Sequence, residues 1–229
     1  MSEFMSYEEL KNHLLSISDA QSRALFCTIY AGMAREGEIA RARGRAVAPF
    51  RFEDVSSEAN KIVLSIHTEK TKRRKKHKFV KDQATGDMIK VRLAKEKIVK
   101  GGEAIRQVPI FLNRERWLAR IIVDWVNHVG RGPLFDFSTR WVEMRFKEWF
   151  PDIVSNRGDN KDGSKHTVHW LRGWRYTHYR LGDVTGRVVD EKKASLLGGW
   201  VNSNVPERLY NFTRLADFED ELENKEGKE

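Results

Sequence analysis

His169-Trp170-Leu171-Arg172, Leu197-Gly198-Gly199-Trp200 and Arg208-Leu209-Tyr210-Asn211-Phe212 follow one another inside the stretch from His166 to Tyr210. A helix over 167–181, stopped by Gly182, places His169 and Arg172 on one face, because residues three apart are neighbours on a helix surface. An imidazole, a guanidinium, an indole N–H and a phenol gathered this closely suit chemistry at a phosphodiester. The guanidinium matches two phosphate oxygens, the imidazole titrates near neutrality, and the phenol offers an oxygen nucleophile.

The composition points the same way. Of 229 residues, 33% are charged and the net charge is +9, so a polyanion is the expected partner. The excess is concentrated: Lys70 to Lys100 holds thirteen Lys or Arg against Asp82, Asp87 and Glu96, while Leu215 to Glu229 holds seven acids against Lys225 and Lys228. The single cysteine, Cys27, lies in the apolar run Ala24-Leu25-Phe26-Cys27-Thr28-Ile29 and reads as a small buried hydrophobe. With one cysteine no internal disulfide forms, and no apolar run reaches the roughly 18 residues of a membrane span. The chain therefore reads as a soluble, intracellular, cytoplasmic protein.

Upstream, Ser6-Tyr7-Glu8-Glu9 has the form of a capping box and opens a helix to about Leu15. Ser18-Asp19-Ala20-Gln21 repeats the device before an apolar helix to about Met33, with Gly32 near its end as a candidate for positive φ. Arg35 then emerges at a junction, since an apolar helix would not host it cheaply. Lys61-Ile62-Val63-Leu64-Ser65-Ile66 reads as a strand. Residues 73–105, with Thr85-Gly86-Asp87 as the turn, read as an extended basic hairpin or flap. Arg106-Gln107-Val108-Pro109-Ile110 restores a strand, with Pro109 marking an edge. An amphipathic helix follows over 114–129, then a helix capped by Ser138 with an apolar stripe of Trp141, Met144 and Trp149. A turn-rich loop covers 151–165. Beyond Gly182 come a loop over 183–190, a short helix over 191–197, and a helix holding Tyr210.

In this order the motifs resemble the catalytic domain of the tyrosine recombinases, or phage integrases. Tyr30-Ala31-Gly32-Met33-Ala34-Arg35-Glu36-Gly37-Glu38 is similar to the family's first arginine box, with one extra residue between glycine and arginine. Phe52-Glu53-Asp54-Val55 and 61–72 look like the strands that deliver its lysine, Arg106-Gln107-Val108-Pro109 like the returning strand, and Gly132-Pro133-Leu134-Phe135 like the stretch before the next helix. His169-Trp170-Leu171-Arg172 matches the His-x-Leu-Arg box, and Leu196-Leu197-Gly198-Gly199-Trp200 with Tyr210 is similar to the final one. The likeness runs over residues 7–212. The run from Arg172 to Trp200 and the flap are both longer than is usual in the family.

The resemblance implies a mainly helical α+β catalytic domain over 1–212 with a small antiparallel sheet and the basic hairpin, and an acidic tail over 213–229. The family's usual N-terminal core-binding domain is expected to be absent. It implies strand cleavage and rejoining through a 3′-phosphotyrosyl bond on Tyr210, with no cofactor, metal or ATP. Arg35 and Arg172 would neutralise the phosphate and His169 would take a proton. Trp200 would donate its N–H, and Lys70, or its neighbour Lys72, would protonate the leaving 5′ oxygen. Glu38 would support the arginines from behind. Arg73, Arg74, Lys75, Lys76 and Lys78 are expected to touch DNA backbone without reading sequence. The implied partner is double-stranded DNA held by a homotetramer on paired sites, with no membrane, in a protein of a virus or mobile element. Two alternatives share the motifs: a type IB topoisomerase-like nicking-closing enzyme, and a non-catalytic DNA-binding relative.

Overall fold

Ser6 starts α1 (Tyr7–Ser16) in the computed structural model, which describes residues 4–44, 48–69, 73–81, 88–99, 103–153 and 168–200. The box is reciprocal: the Ser6 hydroxyl accepts the Glu9 N–H and Glu9 Oε2 accepts the Ser6 N–H at 2.8 Å. At α2 (Ala20–Ala31) the cap is Asp19, one residue later than the serine-led box, with its carboxylate 3.0 Å from the Ser22 nitrogen. A carboxylate caps at least as well as a hydroxyl, so Asp19 sets the start. The end also differs from expectation. Gly32 keeps φ −77, and Met33 takes the positive φ of 46. Gly32 is needed for space instead, since a Cβ there would stand 3.0 Å from Ile66 Cδ1 and 3.1 Å from the Thr28 carbonyl oxygen.

The described residues fall in two compact units, one drawn from Met1–Ile66 with Arg106–Glu229 and the other from His67–Ile105. The smaller unit is the basic excursion. Its strands β3 (Arg73–Lys81) and β4 (Met88–Val99) pair antiparallel from Arg73↔Val99 to Lys81↔Met88, with a register shift between Lys75 and His77. The hairpin expected from the sequence is therefore present, although its turn at Thr85-Gly86-Asp87 lies outside the described residues.

In the larger unit, β1 (Val55–Ser57), β2 (Lys61–Glu69) and β5 (Glu103–Phe111) form a sheet in the order β1-β2-β5, with β1 antiparallel to β2. Pro109 sits on β5, an edge strand of this sheet among the described residues, as its proline marks. The helices α3 (Glu36–Ile39), α4 (Leu112–Val129), α5 (Thr139–Trp149), α6 (His169–Leu181) and α7 (Glu191–Leu197) complete it. The expected stripe on α5 is met in part: Trp141 and Trp149 pack half-buried against the core, Val142 and Phe146 are its fully buried residues, and Met144 is 62% exposed. Phe146 and Phe150 are stacked at 4.5 Å and both lie edge-on to Phe26. Most of the 151–165 loop, the segment carrying Tyr210 and the acidic tail lie outside the described residues.

The core forms around two helices. From Ala24 to Ala31 every residue of α2 is buried, and so is every residue of α6 from Trp170 to Tyr179. Cys27 is buried among them, and burial pushes its thiol well up, as suits a packing residue. A helix apolar on one face only would lie at the surface, but α6 carries polar groups into the core and must pair them there. Arg175 does so with Glu115, which interrupts α4 at φ −124, ψ 41 and turns its carboxylate inward. The two make a two-point ion pair, with Arg175 Nη2 2.7 Å from Glu115 Oε2. Tyr7, Tyr30 and Tyr179 surround it. Among the described residues no helix is long and apolar enough to cross a membrane.

Candidate active site

The first half of the site is built by the turn between α2 and α3. Arg35 is the residue just before α3, in extended conformation, and its N–H donates to Glu38 Oε2 at 2.9 Å. That bond fastens Glu38 at the third helical position and leaves the Arg35 side chain 45% exposed. Three guanidinium groups then converge on the one carboxylate. Arg106 Nη2 donates to Glu38 Oε2 at 2.9 Å, Arg35 Nη1 lies 3.7 Å from Oε1, and Arg172 Nη1 lies 3.9 Å from Oε2. Burial alone would raise the Glu38 carboxyl, but Arg106 first, then the Arg35 N–H and Arg172, hold it below the usual carboxylate range. Glu38 is therefore ionised at neutral pH.

The second half comes from α6 and the turn after α7. His169 and Arg172 share one face, as their spacing requires. His169 Nδ1 is 3.6 Å from Glu36 Oε2. Burial depresses the imidazole, Glu36 opposes this, and Arg172 and Arg35 add to it, so the net shift is downward. A neutral ring at pH 7 can accept a proton. Arg172 is 2% exposed; its Nη2 donates to the Gly198 carbonyl at 2.6 Å and its guanidinium lies 4.0 Å from the centre of the Trp200 ring. Tyr176 meets the same indole edge-on at 5.7 Å. A Cβ at Gly198 would overlap the Trp200 ring, and Gly199 adopts φ 72, so the two glycines are what let the indole fold over Arg172.

Arg35, Glu38, His169, Arg172 and Trp200 are thus brought together. Lys70, Lys72 and Tyr210 lie outside the described residues. Arg73, Arg74, Lys75, Lys76 and Lys78 lie on β3 in the smaller unit. The other phenols of α6, Tyr176 and Tyr179, are buried packing residues. Sequence reasoning passed over Arg106 and Glu36. For Arg106 a signal was present: it alternates with Val108 and Ile110, which are buried, so it falls on the inward face of β5. A cation on that face needs a partner, and Glu38 is the one it finds.

No family model matches the chain, and no curated protein matches it in sequence. Solved structures do. The chain is similar to the XerH site-specific recombinase bound to a palindromic difH substrate in a post-cleavage complex, at 14% identity and a TM-score of 0.56, covering 96% of this chain and 52% of that one. It is also similar to the Tn1549 transposon integrase in complex with transposon right-end DNA, at 11% identity and a TM-score of 0.50, covering 98% of this chain and 66% of that one. The chain spans about half the length of the first of these and just under two thirds of the second. Its fold is that of the catalytic domain of tyrosine recombinases and integrases, the α+β architecture that the motifs implied.

Proposed function

We propose that this chain is the catalytic part of a site-specific DNA recombinase or integrase of the tyrosine recombinase family. The observation that carries the reading is the meeting of Arg35 and Arg172 around one buried, ionised Glu38, with His169 3.6 Å from Glu36 on the same short helix, from segments far apart in the chain. A carboxylate ringed by arginines fixes their heads and leaves a net positive pocket suited to a phosphate gaining charge.

In this reading the Tyr210 oxygen attacks the phosphorus and the P–O5′ bond breaks. The phenolic proton goes to His169, and the 5′ oxygen takes a proton from Lys70, with Lys72 as the alternative donor. Arg35 and Arg172 hold the non-bridging oxygens. Because Arg172 lies beneath the Trp200 ring, a phosphate reaches it only if the indole moves aside. The 3′-phosphotyrosyl bond conserves the energy of the broken ester, so a 5′ hydroxyl from a second strand reverses the step without metal or nucleotide. Residues 1–212 would make up the catalytic domain and 213–229 an acidic tail, with double-stranded DNA as substrate and a homotetramer on paired sites as the working assembly.

The test is a suicide DNA substrate carrying a nick near the cleavage site. A covalent protein–DNA adduct that is lost in Tyr210→Phe is expected. An undiminished adduct in that variant moves the nucleophile elsewhere, and no adduct on any DNA defeats the reading.

A further inference from the structure

We infer that Arg106 is a positioning residue of this site, one that binds Glu38 and so keeps Arg172 and Arg35 from collapsing onto that carboxylate. The inference rests on the strand-transfer reading above. Among the described residues, acceptors from three segments converge on the one guanidinium. Nη2 reaches Glu38 Oε2 at 2.9 Å and the carbonyls of Gly32 and Met33 at 3.2 Å each, and Nε reaches the Leu197 carbonyl at 3.1 Å. These acceptors belong to the turn before Arg35, to α3 and to the end of α7, so one side chain from β5 joins both halves of the site.

The distances show what the arrangement does. Arg106 stands at hydrogen-bond length from Glu38 Oε2, whereas Arg172 Nη1 stands 3.9 Å from that same oxygen and Arg35 Nη1 stands 3.7 Å from Oε1. Both are close enough to feel the charge and too far to be consumed by it. Glu38 is 7% and Arg106 10% exposed by side chain, so water does not easily replace the guanidinium. If Arg106 is removed, Arg35 at 3.7 Å and Arg172 at 3.9 Å become the cations nearest the buried carboxylate. Of the two, Arg172 is the buried one, and closing its gap would draw it off the Gly198 carbonyl that anchors the turn to Trp200. The turn itself is fitted to Arg106: a Cβ at Gly199 would stand 3.2 Å from Arg106 Cδ. Lysine could serve one of these acceptors but not the set, because its ammonium lacks the planar fork.

The experiment combines single-turnover adduct formation on the suicide substrate, at saturating DNA, with a carbon-13 carboxyl titration of Glu38. In Arg106→Gln the Glu38 carboxyl is expected to titrate at higher pH and adduct formation to slow by about 100-fold, the scale for a displaced catalytic group. DNA affinity should stay within a few-fold. Adding Glu38→Gln to Arg106→Gln should recover part of the rate, since the uncompensated charge is gone. Arg106→Lys should hold the Glu38 carboxyl low with an intermediate rate, and it decides the matter if the glutamine variant does not fold. A wild-type rate in Arg106→Gln overturns the inference, as does a slow variant whose Glu38 titration has not moved. If wild type gives no adduct on any DNA, the strand-transfer reading is what fails, and the titration alone then decides whether Arg106 governs Glu38.

Discussion

The Tyr30 hydroxyl and Nδ1 of His178 stand 2.7 Å apart in the middle of the core, while His178 Nε2 faces the Met5 carbonyl at 3.0 Å. A carbonyl can only accept, so Nε2 carries the proton and Nδ1 accepts from the tyrosine. The ring is neutral at pH 7. Burial first, and the charge of Arg175, push its pKa down to about 3.

That depression makes the fold acid-sensitive at unusually mild pH. In the unfolded chain the imidazole takes its proton near pH 6.5, whereas in the folded chain it takes it near 3. The unfolded state therefore binds more protons between these values, and His178 alone removes up to about 1.4 kcal/mol of stability per pH unit over that window. Denaturant unfolding at pH 5 and pH 7.5 should show the loss, and His178→Asn should flatten it. Equal slopes for the two proteins would contradict this assignment.

Breaking the Glu115–Arg175 pair should be among the most damaging single changes. Both side chains are at most 1% exposed, so Glu115→Ala leaves a guanidinium in the core without its counter-charge. A loss of about 3–5 kcal/mol is expected from chemical denaturation. Replacing both, as Glu115→Leu with Arg175→Met, should be milder than either single change. A single-variant loss below about 1 kcal/mol would mean that water or another carboxylate replaces the partner.

Gly182→Ala tests the joint between α6 and the loop that leads to α7. Gly182 sits at φ 87, and a Cβ there would stand 2.9 Å from the Arg187 carbonyl carbon and 3.1 Å from the Val188 nitrogen. Left-handed strain costs roughly 1–2 kcal/mol and the backbone clash adds to it, so a destabilisation of about 2 kcal/mol or more is expected. A neutral thermal shift would show that the loop over 183–190 moves freely.

For the basic hairpin the readout is salt. Deleting residues 73–100 should reduce the slope of log affinity against log salt by about 0.9 for each phosphate that the hairpin neutralises. Binding curves on duplex DNA at several salt concentrations measure it, and an unchanged slope would assign the charge to a solvated surface instead.

Much of the frame was legible because it rests on local chemistry. Ser6 and Ser138 cap helices through atoms within three residues of themselves, and the apolar run of α2 announces its burial. The hairpin could be read from Lys and Arg alternating with apolar residues, and the meeting of Arg35 with Arg172 only from the resemblance. What stayed hidden depends on partners far along the chain. Met144 looks apolar on its helix, but the core reaches Val142 and Phe146 first. Gly32 looks like a residue chosen for φ, whereas the close approach of Ile66 decides it. Nothing local links Glu115 to Arg175, which meet only once α4 and α6 are placed side by side.

Covering Glu38 takes parts that lie far apart in the sequence. Its carboxylate is covered only after β5 has supplied Arg106, α6 has supplied Arg172 and the turn after α7 has supplied its carbonyls. A chain still emerging from the ribosome carries the first arginine box with no pocket behind it. A chain clipped before α7 is in the same position. The covered carboxylate is thus assembled from segments that precede and follow residues 73–99 in the sequence, and a product lacking either does not form it.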